Sequence, residues 1–353
     1  MSDEAKIKIT LDDLEGSGAL VQGSPAAAAV AQGQAGRTYG NVSDLQTTRL
    51  EIGTEVAEKL YMKGWFHLGV AGLLGAFAAW AICEPSFEDG DSSGAWGNFW
   101  LIPLAVVLMC FGFAVAESIV EQSPRKALYR GALALVVGVV LGFLFDAVAN
   151  VVFTITTGLA AAAGIAEVDN PAFWLARAIA WTVLGTAAGL AYGLIGGSFK
   201  RGQYGILGGV IGAAVGGLVF DPISLALEGA EVSRAVGFSL FGASTGIAMG
   251  WVESALKDRW LLVISGPLSG KQFILYKPIT SAGSLQTCDI YLFKDPDIQP
   301  LHLEFGLRGA TTWLRPIGAV DVGGVTARER RLNHGDVVAV GRYRFLYQER
   351  ARD

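Results

Sequence analysis

The chain has 353 residues, of which 52% are hydrophobic, and its mean hydropathy of +0.44 is high for a soluble protein. The formal net charge of −5 does not indicate a nucleic-acid partner. The three cysteines, Cys83, Cys110 and Cys288, lack metal-ligand spacing, and no pattern in the chain indicates a metal or another cofactor. These properties favour an integral membrane protein.

The N-terminal region is polar and shows no pattern of a cleavable signal peptide. Residues 1–40 are interpreted as a flexible segment, because residues 23–40 are rich in Ala, Gly, Ser and Gln. Residues 41–64 have the apolar spacing of a helix. We interpret them as an amphipathic helix that leads into the membrane. The alternative is a soluble helix folded onto the C-terminal domain.

Six apolar stretches form a predicted transmembrane domain over residues 65–253, since each is long enough to cross a bilayer. They run at about 65–83, 99–116, 131–152, 172–197, 204–224 and 235–252. Residues 153–163 are predicted to be an interfacial or re-entrant extension of the third stretch. The last four stretches form two copies of one hairpin, 130–197 and 200–253, which suggests an internal repeat.

Glycines recur at every fourth position of these hairpins. The repeated positions are Gly138, Gly142, Gly185, Gly189, Gly193, Gly208, Gly212, Gly216, Gly242, Gly246 and Gly250. A four-residue step returns to nearly the same helix face, so each stretch carries a smooth stripe. Helices with such stripes pack backbone to backbone in lipid, and we predict a glycine-zipper bundle.

Loop charge predicts the orientation of the bundle. Basic residues occupy alternate loops, at Lys59, Lys63, Arg125, Lys126, Arg130, Lys200, Arg201, Lys257 and Arg259, whereas the loops between them are acidic or sparse in charge. The positive-inside rule makes the basic side cytoplasmic. Both termini are therefore expected in the cytoplasm, with the protein in a bacterial inner (cytoplasmic) membrane.

Each hairpin carries one acid and one arginine near its outer end. We predict two ion pairs, Asp146 with Arg177 and Asp221 with Arg234, because a charge near lipid is costly unless it is paired or reaches the interface. A structural role or interfacial snorkelling is the favoured interpretation. The alternative is an ion or proton pathway.

The composition changes at about residue 258. Short β-rich runs alternate with Gly, Pro and Asp up to residue 350, and this pattern predicts an all-β, antiparallel sandwich. The fold class is therefore a multi-domain protein, in which an α-helical membrane bundle precedes a β-sandwich.

This C-terminal region resembles the forkhead-associated (FHA) domain. The matching positions are Gly266-Pro267, Gly270, Gly283, Cys288-Asp289-Ile290, Leu292, His302, Leu332, Gly335-Asp336, Gly341 and Phe345. FHA domains typically bind phosphothreonine peptides through loops at one end of the sandwich. The resemblance therefore implies a cytoplasmic protein-interaction domain.

The binding face that the resemblance implies is degenerate. The family's phosphate-contacting Arg follows the motif glycine Gly283, and here that position is Ser284. The family's Ser three residues before His302 is Gln299, and the Asn of its Asn-Gly pair is matched to Gly323 before Gly324. Since Arg is best suited to hold phosphate, we expect most of the phosphopeptide affinity to be lost.

Three arginines follow this face in the sequence. Arg328, Arg330 and Arg331 are candidates for a substitute anion site, although a solvated loop is the favoured interpretation of such a charge run.

The leading functional hypothesis is a non-enzymatic scaffold or accessory subunit that anchors or assembles a membrane complex. Its expected partners are membrane lipid and other protein subunits, bound through the FHA-like domain and the helices, in a homo- or hetero-oligomer. The three histidines form no catalytic triad or metal pattern. The alternatives are a small channel or transporter with a regulatory FHA-like domain, and a phosphorylation-dependent adaptor.

Overall fold

The structure is a computed structural model that describes residues 60–90, 95–165, 167 and 169–350. The predicted segment 1–40 and most of the predicted amphipathic helix 41–64 lie outside the described residues. Of that helix, Leu60–Met62 form a short 3-10 turn that leads into the first long helix.

Six long helices make up the first two thirds of the described structure. They are α1 (Gly64–Cys83), α2 (Trp96–Val120), α3 (Pro124–Ala162), α4 (Pro171–Gly196), α5 (Phe199–Ala226) and α6 (Ala230–Leu256). All six are long and apolar enough to cross a membrane, as judged from length and composition alone. Each contains one of the six predicted apolar stretches, except that the predicted end at residue 197 lies one residue beyond its helix.

Helix α3 is a single helix of 39 residues, so the re-entrant interpretation of residues 153–163 is wrong. The hydroxyl groups of Thr154 and Thr157 donate to the carbonyl oxygens of Asn150 and Phe153, one turn back, and leave the helix intact. The helix ends just before Gly164, whose φ of +73° favours glycine.

The six helices form a closed ring, in which each packs on its neighbours in sequence and α6 returns to α1. Helices α2 and α4 also touch across the ring. Aromatic side chains fill its middle, where the Trp181 ring lies 5.0 Å from Phe220, 5.8 Å from Phe238 and 4.6 Å from Phe241, measured between ring centroids. The interior is therefore a packed core.

The glycine stripes lie where helix backbones approach most closely. A Cβ added at Gly205 of α5 would lie 2.8 Å from the Gly189 carbonyl oxygen of α4. One added at Gly216 would lie 2.7 Å from the Phe241 Cα of α6, and one at Gly142 of α3 would lie 2.9 Å from the Pro103 carbonyl oxygen of α2. Any side chain at these positions would push two helices apart.

All eleven predicted glycines face another helix or the turn that joins two helices, at contact distance. Two further rows were not predicted. They are Gly69, Gly72 and Gly75 on α1, and Gly202, Gly205 and Gly209 on α5. Helix α5 thus carries glycine on two faces, one toward α4 and one toward α6. That these contacts act as a zipper in lipid stays a prediction.

The C-terminal region is a sandwich of eleven strands. These are β1 (Arg259–Ser265), β2 (Gln272–Ile274), β3 (Ile279–Gly283), β4 (Ile290–Tyr291), β5 (Leu303–Arg308), β6 (Thr311–Pro316), β7 (Asp321–Val322), β8 (Val325–Thr326), β9 (Arg330–Leu332), β10 (Val337–Val340) and β11 (Tyr343–Glu349). One sheet has the order β2-β1-β11-β10-β7-β8 and the other β4-β3-β5-β6-β9. The prediction of a purely antiparallel sandwich is wrong in one pair, because β3 and β4 run parallel.

Alternate residues of both sheets fill the space between them. Leu261 and Val263 of β1, Phe305 of β5, and Phe345 and Tyr347 of β11 are fully buried. This inward alternation, with period two, fixes the register of each strand.

Replacing Gly212 tests whether the glycine contacts hold the bundle together. We expect Gly212→Ala to destabilise the bundle by about 1–3 kcal/mol, because the added Cβ would lie 2.5 Å from the Thr245 Cα. The matched control is Gly158→Ala on α3, where no atom lies within 4 Å of the added Cβ. This control should gain up to about 1 kcal/mol from helix propensity. Thermal melting in detergent measures both, and equal shifts would contradict the packing role.

Candidate functional site

A linker of two residues joins the helical bundle to the sandwich. Helix α6 ends at Leu256 and β1 begins at Arg259. Asp258 of the linker forms an ion pair with Lys200 at the start of α5, and Lys257 donates to the Gln272 side chain in β2. The connection is therefore both short and tied down at each of its residues.

The sandwich meets the bundle through its β2 and β4 side. Both strands are sheet edges. Lys271, which precedes β2, contacts Glu121 in the turn after α2, and Asp289, which precedes β4, contacts Lys126 of α3. Gln286 in the β3–β4 loop accepts a hydrogen bond from the Arg125 backbone N–H, 3.0 Å away. The bundle thus covers the side on which unpaired strand edges would otherwise face solvent.

A set of charged and phenolic side chains lies at this contact, and we call it the junction cluster. Its members are Glu117, Glu121, Lys126, Arg130, Tyr192, Arg201 and Glu253 from the helices, and Lys271 and Tyr276 from the sandwich. They come from five helices, from the turn after α2 and from the two segments that flank β2.

Glu121 is the centre of one half of the junction cluster. Each of its two carboxylate oxygens accepts a hydrogen bond from a lysine. The donors are Lys126 Nζ and Lys271 Nζ, both at 2.8 Å. The side chains of Glu121 and Lys271 are only 1% and 3% exposed. Charges this deeply buried are stable only when each is paired, so the two domains depend on each other here.

Arg201 is the centre of the other half. Its guanidinium lies 3.0 Å from Glu117 and donates to the Tyr192 hydroxyl at 2.6 Å. The Glu253 carboxylate accepts a hydrogen bond from the Tyr192 hydroxyl and one from the Tyr276 hydroxyl, both at 2.9 Å. Burial and the nearby Glu253 charge raise the pKa of Tyr276 well above its usual value, so this phenol stays a neutral donor.

The sequence does not predict the junction cluster. The positive-inside rule treats Lys126, Arg130 and Arg201 only as markers of membrane orientation, and no pattern assigns a role to Glu117, Glu121 and Glu253. These acids end two apolar helices close to basic residues, and that juxtaposition is the one signal that could have identified them.

At the opposite end of the bundle the predicted ion pairs are wrong. The Arg177 Nε lies 2.9 Å from each Asp221 carboxylate oxygen, so the pair joins the two hairpins. Arg234 instead pairs with Asp89 at 2.6 Å, and with Glu84.

The reason for this exchange is the direction in which each helix face points. Helix α4 packs most extensively on α5, which brings Arg177 to Asp221, and α6 packs on α1, which brings Arg234 to the loop after α1. Asp146 accepts a hydrogen bond from Asn150, one turn away on its own helix, at 3.0 Å. Three aromatic rings, of Phe153, Phe173 and Phe220, surround the Arg177 guanidinium within 5.6 Å.

The loops after β3, before β5 and after β6 lie together at one end of the sandwich, and we call this end the loop face. His302, which is 2% exposed, joins its three loops. The His302 Nδ1 accepts from the Gln299 backbone N–H at 3.0 Å, and its Nε2 lies 2.9 Å from the Ala319 carbonyl oxygen. The ring also packs on Gly318, where an added Cβ would lie 2.5 Å from it. His302 therefore acts as a structural residue.

Ser284 and Gln299 lie on the loop face, as the resemblance implied. The Ser284 backbone N–H donates to the Gln299 carbonyl oxygen at 3.0 Å. Beside them, Leu285 and Ile317 are each 48% exposed although both are apolar. The place where the family carries a phosphate-binding Arg thus presents a hydroxyl and apolar side chains.

Gly323 and Gly324 do not lie on the loop face, so this part of the predicted binding face is wrong. They form the turn of the β7–β8 hairpin, with φ of +63° and +82°. The Gly323 N–H bonds the carbonyl of Val337, at the end of β10 that is away from the loop face. The segment that reaches His302 is instead 317–319.

The three arginines proposed as a substitute anion site lie elsewhere. Arg330 and Arg331 belong to β9, which β6 and β5 separate from the β3 end that carries Ser284. Three strand spacings correspond to about 14 Å. Arg330 also approaches Asp336 at 3.7 Å, and Arg328 is exposed ahead of β9. These positions fit the interpretation of the three arginines as solvent-exposed surface charges.

Asp295 ties the β10–β11 loop to the loop face. Its carboxylate accepts a hydrogen bond from the Arg342 backbone N–H at 2.8 Å and from the Asp297 backbone N–H at 3.1 Å. The bond from Arg342 holds the pKa of Asp295 below its usual range, so the carboxylate is charged at neutral pH. The loop face is therefore braced from both sheets.

Comparison with known proteins locates the same region. No family model matches the chain. Over 110 residues the chain is 34% identical to the glycogen accumulation regulator GarA of Mycolicibacterium smegmatis. The matched stretch covers 30% of this chain and 68% of that protein. It is 32% identical over 96 residues to the oxoglutarate dehydrogenase inhibitor of Corynebacterium diphtheriae, 26% of this chain and 66% of that protein. The chain thus spans about two thirds of the length of either relative.

Solved structures give matches of the same extent. An FHA domain of a Chlamydia trachomatis protein is 25% identical, with 27% of this chain and 100% of that chain covered and a TM-score of 0.25. An FHA domain of an Arabidopsis thaliana protein is 20% identical, with 28% and 89% covered and a TM-score of 0.25.

The C-terminal region is a forkhead-associated domain. The motif positions from Gly266 to Phe345 occupy the turns and core of the two sheets, and the match to the mycobacterial regulator covers more than two thirds of that relative. The chain therefore belongs to the FHA-domain proteins, whose interaction domain is here joined to six long apolar helices.

A double-mutant cycle tests the corrected ion pair. Arg177→Gln and Asp221→Asn should each destabilise the protein, while the double variant should be more stable than the sum of the two predicts, with a coupling energy of about 1–3 kcal/mol. Arg177→Gln combined with Asp146→Asn is the control and should be additive within about 0.5 kcal/mol. Coupling to Asp146 in place of Asp221 would restore the pairing predicted from the sequence.

A second substitution tests the junction cluster. Glu121→Gln removes the carboxylate that Lys126 and Lys271 share, and we expect a loss of about 3–5 kcal/mol, typical of a buried charge left unpaired. Glu304→Gln is the matched control, because Glu304 pairs with an exposed Arg315 at 3.4 Å. Its effect should stay below about 1 kcal/mol. Equal effects in chemical denaturation would show that the junction is not held by these charges.

Proposed function

We propose that the chain is a non-enzymatic membrane scaffold, whose FHA domain holds a protein partner at the cytoplasmic face of a bacterial inner membrane. The observation that carries this proposal is the junction cluster. It fixes the sandwich to one end of the apolar bundle and leaves Leu285 and Ile317 of the loop face exposed. A partner on the loop face would then be held at a set position relative to the membrane.

The outer surface of the bundle supports a membrane location. Helix α3 is the least covered of the six, and apolar side chains such as Val136, Val140 and Leu159 are 65%, 61% and 67% exposed. A continuous apolar surface of this length is unfavourable in water and suits lipid or a neighbouring helix. The helices thus provide the contacts for lipid and for homo- or hetero-oligomers.

The charge at the junction supports the orientation. Lys126, Arg130, Lys200 and Arg201 lie at the bundle end that carries the FHA domain. By the positive-inside rule this end is cytoplasmic. Both termini, at residues 1 and 353, are proposed to lie on that side.

The loop face supports recognition without phosphate. Ser284 supplies one neutral hydroxyl where a guanidinium would fork onto a phosphate. The exposed Leu285 and Ile317 supply apolar area instead, as expected for contact with a protein surface. One relative is named as an oxoglutarate dehydrogenase inhibitor, so that relative acts on another protein.

A channel or transporter is a weaker alternative. The aromatic core around Trp181 fills the middle of the ring, and the charged groups of the bundle lie in two separate layers, one at each end. A path for ions needs polar groups through the core. The scaffold is therefore favoured.

Reporter fusions test the orientation. Fusions after residue 126, after residue 201 and at residue 350 should report the cytoplasm, because the basic residues lie on that side. Fusions at residues 89 and 169 should report the outside. A C-terminal fusion that reports the outside would contradict the proposal.

Site-directed photocrosslinking tests partner binding at the loop face. A benzophenone amino acid at Leu285 or Ile317, in the full chain in cells, should crosslink to one protein partner, and phosphatase treatment of membranes before irradiation should leave the yield unchanged. The control position is Arg344, exposed on β11. A product lost after phosphatase would favour the phosphorylation-dependent adaptor. Equal products at all three positions would contradict docking at the loop face.

A further inference from the structure

A cavity of about 610 Å³ lies between the bundle and the FHA domain, on the β2 side of the junction. The start of α1, the end of α6 and the segment around β2 form its walls. Trp65 of α1 and Trp251 of α6 line it with ring centroids 6.4 Å apart, and Trp251 is 60% exposed. The cavity is large enough for a small ligand or a lipid headgroup.

Two buried nitrogen atoms on side chains that line this cavity have no hydrogen-bond partner. They are the Nδ1 of His67 on α1 and the Nε of Arg201 on α5. The Arg201 Nε lies 3.5 Å from a Glu253 oxygen, but without hydrogen-bond geometry. Buried polar atoms are almost always satisfied in folded proteins, so an orphaned pair beside a cavity indicates a missing partner.

The charges of the junction cluster do not balance. Lys126, Arg130, Arg201 and Lys271 carry positive charge, whereas the carboxylates in contact with them are Glu117, Glu121 and Glu253. Glu121 serves two lysines, and of these Lys271 lines the cavity. Among the described members of the cluster, one buried positive charge is therefore left over, and a buried excess charge is costly.

We infer that the cavity binds a phosphate-bearing anion, held by Lys271, Arg201 and His67. Lys271 has donor hydrogens beyond the one directed at Glu121, and the Arg201 Nε carries a hydrogen that only an acceptor can satisfy. One negative charge would balance the cluster, and phosphate oxygens accept charge-assisted bonds from lysine and arginine. The membrane location proposed above would supply a phospholipid headgroup, and the cytoplasm would supply soluble phosphate.

The test uses the full chain, purified in a zwitterionic detergent and a phosphate-free buffer. Thermal melting and native mass spectrometry are recorded with inorganic phosphate, with phosphatidylglycerol and with phosphatidylcholine. We expect phosphatidylglycerol or phosphate, but not phosphatidylcholine, to raise the melting temperature and to remain bound. Stabilisation by phosphatidylglycerol alone identifies a lipid site, and stabilisation by inorganic phosphate identifies a soluble anion.

Two variants locate the site. Lys271→Gln should weaken binding of whichever anion stabilises the protein, inorganic phosphate or phosphatidylglycerol, by about tenfold or more, because one charge-assisted bond is lost. Because this change also weakens the junction, His67→Phe provides a second variant that keeps every charge of the cluster. The control is Lys277→Gln, whose partner is Asp289 at 2.7 Å and which does not line the cavity.

The results separate this inference from the proposed function. No response to either anion, or a response that His67→Phe and Lys271→Gln leave unchanged, would overturn the anion site even if the protein fractionates with membranes. A soluble protein that responds to phosphate would keep the site and contradict the membrane scaffold.

Discussion

The buried contact of Glu121 with Lys126 and Lys271 is the constraint on which the arrangement of the two domains depends. Two lysines share one carboxylate at a position that is almost inaccessible to water. Buried ion pairs add little net stability, because desolvation offsets their attraction. A shifted docking position would leave these charges buried and unpaired. We therefore interpret the junction cluster as selecting one docking geometry from many that apolar contact alone would allow.

This geometry determines which surfaces of the FHA domain remain available. The strand edges β2 and β4 face the bundle, so the edges most open to unwanted strand pairing on that side are covered. The two-residue linker Lys257–Asp258 leaves little freedom for another position. The loop face, with Leu285 and Ile317, stays exposed and is braced by His302 and Asp295. The β3–β4 loop borders both surfaces, since Gln286 contacts the bundle while the neighbouring Leu285 stays exposed.

Patterns local in the sequence predicted most of the fold. Apolar length gave the six helices, and the spacing from Gly283 through His302 to Phe345 gave the FHA domain. Contacts that depend on which helix faces meet could not be predicted from these local patterns. Arg177 reaches Asp221 rather than Asp146 because α4 packs on α5, which no spacing within one hairpin reveals.

The same limit applies to the site. Gly323 matched a motif position by counting, yet its turn points away from His302, because β7 pairs with β10 and the turn bonds Val337 at the end of β10 away from the loop face. The junction cluster joins residues more than a hundred positions apart, so only the folded chain brings its acids to its lysines.

The most direct measurement of the central claim is the distance distribution between the two domains. Spin labels at Gln203 on α5 and Arg344 on β11, both exposed, report it in the full chain in lipid nanodiscs. The three native cysteines, Cys83, Cys110 and Cys288, are buried and would be replaced first. A fixed junction predicts a single narrow distribution that Glu121→Gln broadens. A broad distribution in the unaltered protein would contradict the account.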